Sequence, residues 1–453
     1  MNQSFKIQST IYLYIMLILS LMLILSLMEL VPATYVLSAI LLTLFAIVSS
    51  GTIFYVLLIY ASVTKRYPFP DPYGKTTILD SLVYVLIPAH NEETVIERTA
   101  RSVLNQNYKN FKLFLINDNS EDGTLKIMEK IQKLNPDRVV VINVPPEKGR
   151  KKPRALNYAL EVIRKAFPEP EYVFVLDADY LLSPDTLARL VEIMDNAPNY
   201  IIGLQGNVRP RNWNKNFITK FITLERLVGF NVAIEGDMKL NDNGKCGGTV
   251  VLYRYSHLTK IGMFNKVTVT EDTELWARAL ISNYRFWYYH RIVGWEEAVE
   301  TLGDYIKQRS RWAQGHLQVM TDFYWLVIKG CSSVTEVITR NFYLISYLVP
   351  VFWFLSVVLN GYLILTGQPV PELTRPKFFL MMSVLSFLVF WFSVAYSNWV
   401  EMKRTGFHVP WWFVILYPLY FMIFLIAGVI YTLRGFFRLL TGKLHWEKTR
   451  RFT

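Results

Sequence analysis

The chain has 453 residues, room for about three domains, and its 52% hydrophobic content with a mean hydropathy of +0.24 excludes a wholly soluble protein. The net charge is +12, yet no compact basic motif interleaved with aromatics occurs, which excludes nucleic acid as the partner. The Lys/Arg excess fits the cytoplasmic side of a membrane protein, with anionic headgroups and a diphosphate substrate as a second account. The two cysteines, Cys246 and Cys331, form neither a metal-ligand spacing nor a disulfide framework.

Residues 11–28 are nearly unbroken Leu, Ile, Met and Tyr, close to the ~20 residues of a membrane span. No small-x-small cleavage pattern follows and a second apolar run, 35–60, begins almost at once, so the reading is two spans rather than a cleaved signal peptide. The link between them lacks Lys and Arg, whereas Lys65 and Arg66 follow the second run. By the positive-inside rule the middle of the chain is cytoplasmic. The expected layout is two spans in 1–63, a Pro-rich linker in 64–80 (YPFPDPYG lies here) and a cytoplasmic domain over 81–315. Interfacial helices in 316–340, about three spans in 341–433 and a basic tail in 434–453 complete it.

Within the middle region, short apolar runs at 82–87, 111–116, 139–144 and 172–176 alternate with helical stretches. That alternation predicts an α/β fold with a mostly parallel sheet covered by helices on both faces. Right-handed crossovers would bring the strand ends to one edge. Residues 201–325 look less regular, with polar loops RPRNWNKN and KLNDNGKCGGT. The apolar runs 341–365, 378–400 and 411–431 are long enough to span, with aromatics at their ends. Three later spans would leave the basic tail outside, against the positive-inside rule, so the run from Trp411, broken by Pro418, is the candidate for a re-entrant segment.

The chemistry gathers around VFVLDADY, residues 173–180. A buried strand ending in Asp177 and Asp179 places two carboxylates at the edge where open α/β sheets bind ligands. A hard divalent cation shared with phosphates would relieve their repulsion. Asp118 follows the second strand, Glu271 and Asp272 lie in TEDTEL, and Gln308, Arg311 and Trp312 form Gln-x-x-Arg-Trp. Each has an ordinary structural alternative. Asp-x-Asp is a turn or cap, Asp118 caps a helix, TEDTEL is a capping box, and Gln-x-x-Arg-Trp is an amphipathic face with Trp in the headgroups. The basic loop EKGRKKPR is either a solvated loop or a phosphate contact.

The ordered set LIPAHNEE, INDNSEDGT, DAD, TED and QRSRW resembles the membrane-integrated family 2 glycosyltransferases, the branch of cellulose, hyaluronan, chitin and poly-N-acetylglucosamine synthases. The resemblance implies a GT-A type nucleotide-sugar-binding domain between N- and C-terminal transmembrane helices. It places Pro88, His90 and Glu92 beside the nucleotide and Asp118 on uracil. It puts Lys152 and Arg311 on the diphosphate, Asp179 (with Asp177) on Mg²⁺ or Mn²⁺, and Asp272, next to Glu271, as the general base. Gln308 and Trp312 fall at the acceptor end, the Cys246–Gly248 loop under the acceptor, and the tail HWEKTRR resembles a segment that returns to the site. One base and one face of attack imply inversion.

The implied enzyme is a multi-pass cell-membrane β-glycosyltransferase. It would extend a polysaccharide from a nucleotide-sugar, with a UDP-sugar as the expected donor, and pass the product through its own spans, with room for an accessory subunit. A non-processive enzyme acting on a lipid acceptor or using a GDP-sugar stands as the alternative. A channel or transporter with a regulatory domain stands behind it, weakened by the scarcity of charges in the spans.

Overall fold

The computed structural model describes residues 50–69, 80–367 and 376–442. The expected first span, most of the linker, the loop around 371–375 and the HWEKTRR tail lie outside them. The described residues divide into two compact units: 58–305 with 397–409, and 50–57 with 306–396 and 410–442.

The first unit is built on one eight-stranded sheet with the order β3-β2-β1-β4-β7-β6-β8-β5. The strands are β1 (Val83–Ala89), β2 (Phe111–Asn117), β3 (Val139–Asn143), β4 (Tyr172–Val175), β5 (Leu181–Leu182), β6 (Ile201–Pro210), β7 (Val251–Arg254) and β8 (Arg285–Glu296). β3, β2, β1 and β4 run parallel. They are the four strands expected from the apolar runs, and buried Val, Leu, Ile and Phe fill their interior. Helices Ile96–Leu104, Thr124–Leu134 and Lys152–Ala166 connect them. Each crossover returns the chain to the same sheet end, so residues 88–92, 118–124 and 177–180 meet at one edge.

The other half of the sheet is mixed. β7 lies antiparallel between β4 and β6, and β6 pairs parallel with β8. The sheet is therefore mixed in detail but mostly parallel, as expected: β3, β2, β1, β4, β6 and β8 run one way, and β7 and β5 run against them. The stretch that looked irregular in sequence contains its two longest strands, of 10 and 12 residues.

Three helical stretches are long and apolar enough to cross a membrane: Val334–Leu359, Val384–Thr405 and Tyr417–Leu440. Such helices mark a membrane protein. A shorter apolar helix covers Ser50–Thr64. The run from Trp411 is two helices, Trp411–Ile415 and Tyr417–Leu440, with Pro418 in the first turn of the second. Proline fits there because that turn needs no N–H donor. A single helix, Leu302–Lys329, runs through position 315.

Candidate functional site

Two strand-end turns make the first wall. After β1, Asn91 adopts a left-handed backbone (φ 56°), one of the few conformations outside glycine that Asn tolerates. It receives the Glu121 N–H on Oδ1 (2.7 Å) and gives its own N–H to Ser120 Oγ (3.0 Å). Glu92, buried, gives its N–H to Thr124 Oγ1 (2.8 Å). Pro88 pairs with Ile116 inside the sheet, and the His90 ring lies 2.7 Å from the Asp118 carbonyl through Nδ1. Pro88, His90, Glu92 and Asp118 thus share one end of two adjacent strands.

Asp118 is 5% exposed. Its Oδ1 accepts from the Arg150 N–H (2.6 Å) and from Asn119 Nδ2 (3.0 Å). These bonds bring the basic loop down onto the carboxylate. A Cβ at Gly149 would run into Asp118 Oδ1, so this close approach requires glycine. Asp118 does not act as a simple helix cap: helix Thr124–Leu134 is capped by Gly123 without a side-chain bond.

The second wall is the end of β4. The Asp177 N–H bonds Thr249 Oγ1 (3.0 Å), and the Ala178 carbonyl accepts from the buried Thr99 hydroxyl (2.7 Å). The Asp-x-Asp backbone is therefore held from both sides. Asp179 is 6% exposed. Lys152, the first residue of its helix, ties the walls together. Its Nζ lies 2.7 Å from Asp177 Oδ1 and 3.3 Å from Glu271 Oε1, and donates to the Gly248 carbonyl at 2.7 Å. Burial alone would lower the Lys152 pKa, but the facing carboxylates of Asp177 and Glu271 overcome it and hold the ammonium above its ordinary range. Lys152 is held by two carboxylates and a carbonyl rather than left in a solvated loop.

Glu271 and Asp272 begin the helix Glu271–Ile281. Thr270 makes no side-chain cap bond, and Glu274 is engaged with Arg278 and Asn265, so TEDTEL is not a capping box. The Asp272 Oδ1 accepts the Thr273 N–H (2.7 Å). A Cβ on Gly248, whose φ is +73°, would lie 3.1 Å from Asp272 Oδ2. Burial first, then the Glu271 charge, push the Asp272 carboxyl up to about 6. Cys246, 3% exposed, packs its Sγ 3.2 Å from Tyr253 Oη, and burial pushes the thiol up to about 12. It is a packed residue rather than a nucleophile.

Asp177, Glu271 and Asp272 thus come together around Lys152, with Asp118 and His90 on neighbouring strand ends. Gln308, Arg311 and Trp312 belong to the second unit. Their spacing puts them on one helix face, and buried Arg309 stacks 3.9 Å from the Trp312 ring centroid. Gly435 packs on the same stretch: a Cβ there would lie 2.8 Å from the Gln314 nitrogen. Sequence reading missed Thr99, Gln205 and Thr249, because a hydroxyl or amide in mid-element carries no motif of its own.

Among the described residues, no three His, Cys, Asp or Glu gather as a metal cage. Asp177 and Asp179, one residue apart just past β4, are the oxygen donors that could hold a divalent cation.

Residues 84–262 match the family model for glycosyl transferase family 2. The chain is 26% identical over 376 residues to the probable glycosyltransferase YdaM of Bacillus subtilis, covering 82% of this chain and 87% of that one. It is 27% identical over 314 residues to poly-beta-1,6-N-acetyl-D-glucosamine synthase of Staphylococcus epidermidis, covering 68% and 69%. Its fold resembles the mannosyltransferase PcManGT of Pyrobaculum calidifontis, solved with GDP-Man and Mn²⁺, with a TM-score of 0.59 at 19% identity over 90% of this chain and 99% of that one. The matched segment carries the strand ends, the Asp-x-Asp and the Lys152 helix described above, and residues 84–262 are a glycosyl transferase family 2 domain.

Proposed function

We propose that the chain is an inverting, metal-dependent membrane glycosyltransferase that extends a polysaccharide from a UDP-sugar on the cytoplasmic side. The observation that carries this reading is Lys152 bridging Asp177 and Glu271 while it holds the carbonyl of Gly248, the glycine packed on Asp272. One cation joins the carboxylate pair that suits a metal–diphosphate to the carboxylate that suits a base.

Asp118 and the 149–150 turn bind the base, Asp118 accepting an imide N–H. Asp177 and Asp179 would hold a divalent cation, which when bound supplies positive charge to the leaving nucleotide diphosphate. Lys152 adds a point charge on the same side. The acceptor hydroxyl attacks the anomeric carbon as the bond to the diphosphate oxygen breaks. Its proton passes to Asp272, whose raised pKa keeps it ionised near neutrality yet basic enough to accept. Attack opposite the leaving group through an oxocarbenium-like state inverts the anomeric centre.

Supporting the acceptor class is the likeness to the staphylococcal poly-N-acetylglucosamine synthase, so UDP-N-acetylglucosamine is the first donor to test. The full chain in nanodiscs, incubated with labelled UDP-N-acetylglucosamine or GDP-mannose and Mn²⁺, should place label in a high-mass product that resists lipid extraction. Label that moves into organic solvent would mean a lipid acceptor, and label retained from the GDP-sugar alone would overturn the UDP assignment.

A further inference from the structure

The loop 246–250 meets Lys152, Asp177 and Asp272 of the candidate site, and it is not held by its own sequence. Val250 has φ 55°, a left-handed conformation that a β-branched residue adopts only when its surroundings impose it. Those surroundings are built for it. A Cβ at Gly206 would meet Val250 Cγ1 at 2.7 Å, and one at Gly294 would collide with Val250 Cγ2. Glycine at both positions leaves the valine its space.

The residue that fixes the loop is Gln205 on β6, fully buried. Its Oε1 accepts the Gly247 N–H (2.7 Å), and its Nε2 donates to the carbonyls of Thr249 (3.0 Å) and Gly206 (2.7 Å). One amide thus holds the residues on both sides of Gly248. The residues so clamped then each reach a different site group. Gly248 offers its carbonyl to Lys152 and its Cα to Asp272, and Thr249 receives the Asp177 N–H. Glutamine is the side chain that suits this task. It presents one acceptor and two donors in a plane, and none of them is left unpaired in a buried place.

We propose that Gln205 is a positioning residue for sugar transfer. It sets the backbone of 247–249, and through that backbone the placement of Asp272, Lys152 and Asp177. The inference rests on the reading of Asp272 as the base. Glutamate at 205 keeps the acceptor for Gly247 but turns an oxygen toward two carbonyls; leucine removes all three bonds at similar volume.

The test uses the full chain in nanodiscs and two readouts. Calorimetry with UDP and Mn²⁺ gives the fraction of molecules that bind nucleotide. Release of UDP from UDP-N-acetylglucosamine, or of GDP from GDP-mannose if that is the donor, gives the rate per binding-competent molecule. A merely structural role lowers the competent fraction and leaves the rate per competent molecule alone. For Gln205→Leu and Gln205→Glu we expect that rate to fall roughly 10-fold to 100-fold, the scale of an ångström-sized misplacement. A fall of less than about threefold in rate per competent molecule overturns the proposal. Should both variants fail to fold, Thr249→Val and Thr249→Ser test the same linkage: the serine should recover rate that the valine loses, and equal rates would overturn it. Asp272→Asn separates the two readings. If it is active, the base assignment has failed; if it is inactive while the Gln205 variants match wild type, this inference alone has failed.

Discussion

Strands β1 to β4 and strands β6 to β8 fill two halves of one sheet with opposite kinds of side chain. In the first half the strand interiors are apolar, with Val83, Val85, Ile87, Leu113, Leu115 and Phe174 in the core. Apart from Lys112, the charged and amide groups come at or past the strand ends. In the second half, all ten residues of β6 are buried, and they include Gln205, Asn207 and Arg209. Buried polar groups are costly unless bonded, so each finds a partner: Gln205 the 247–249 loop, Asn207 the His290 carbonyl (3.4 Å), and Arg209 the carboxylate of Glu401 (2.5 Å). Beside that pair, Arg404 forks onto Glu235 at 2.7 and 2.8 Å, and Asn231 of the π-helical turn Gly229–Ile234 donates to Glu401 at 3.0 Å. The first half uses burial to aim its loops. The second uses bonds to grip segments distant in sequence, the end of the Pro376–Thr405 helix among them.

That contrast can be broken or sharpened by substitution. The largest effect belongs to Glu401→Ala, which strands Arg209 (4% exposed) without its carboxylate. Removing one partner of a buried pair costs about 3–5 kcal/mol, and thermal unfolding in nanodiscs should show a loss of that order. An unchanged midpoint would mean the second half does not depend on its ionic grip. Next comes Gly149→Ala, which acts on the first half. The added methyl meets Asp118, so the fold should lose about 1–3 kcal/mol to overpacking, read as a lower unfolding midpoint, and nucleotide binding by calorimetry should weaken as the 149–150 turn shifts.

A third effect is on pH. With Asp272 as the proposed base and its carboxyl pushed up to about 6 by burial, kcat/KM should be level above that pH and fall about tenfold per unit below it. A flat profile from pH 5 to 8 would remove Asp272 from the rate. The smallest effect is the control. Arg101 and Glu97 form an exposed i,i+4 pair on the first half, and Arg101→Ala should cost less than about 1 kcal/mol.

The same contrast explains what could be read in advance. Apolar runs announced β1 to β4 to within a residue or two, because a core strand needs little beyond Val, Ile, Leu and Phe. The run IIGLQGNVRP of β6 hides its strand behind two glycines and three polar residues whose partners lie tens of residues away. Asp118, Asp177, Asp179 and Asp272 were legible as acids past strand ends or at a helix start. Lys152 stood out only through the family resemblance; by its residues alone it was one basic side chain among several, since its partners Asp177 and Glu271 arrive from elsewhere in the chain. Thr99, Gln205 and Thr249 act through bonds that only the folded chain creates.

The account turns on Asp272 taking the acceptor proton at a site assembled around Lys152. The direct measurement is sugar transfer by Asp272→Asn, with UDP binding followed on the same sample. We predict nucleotide binding at full stoichiometry and transfer reduced by roughly 10²- to 10⁴-fold, the reach of a general base. Transfer at the wild-type rate by this variant would contradict the account.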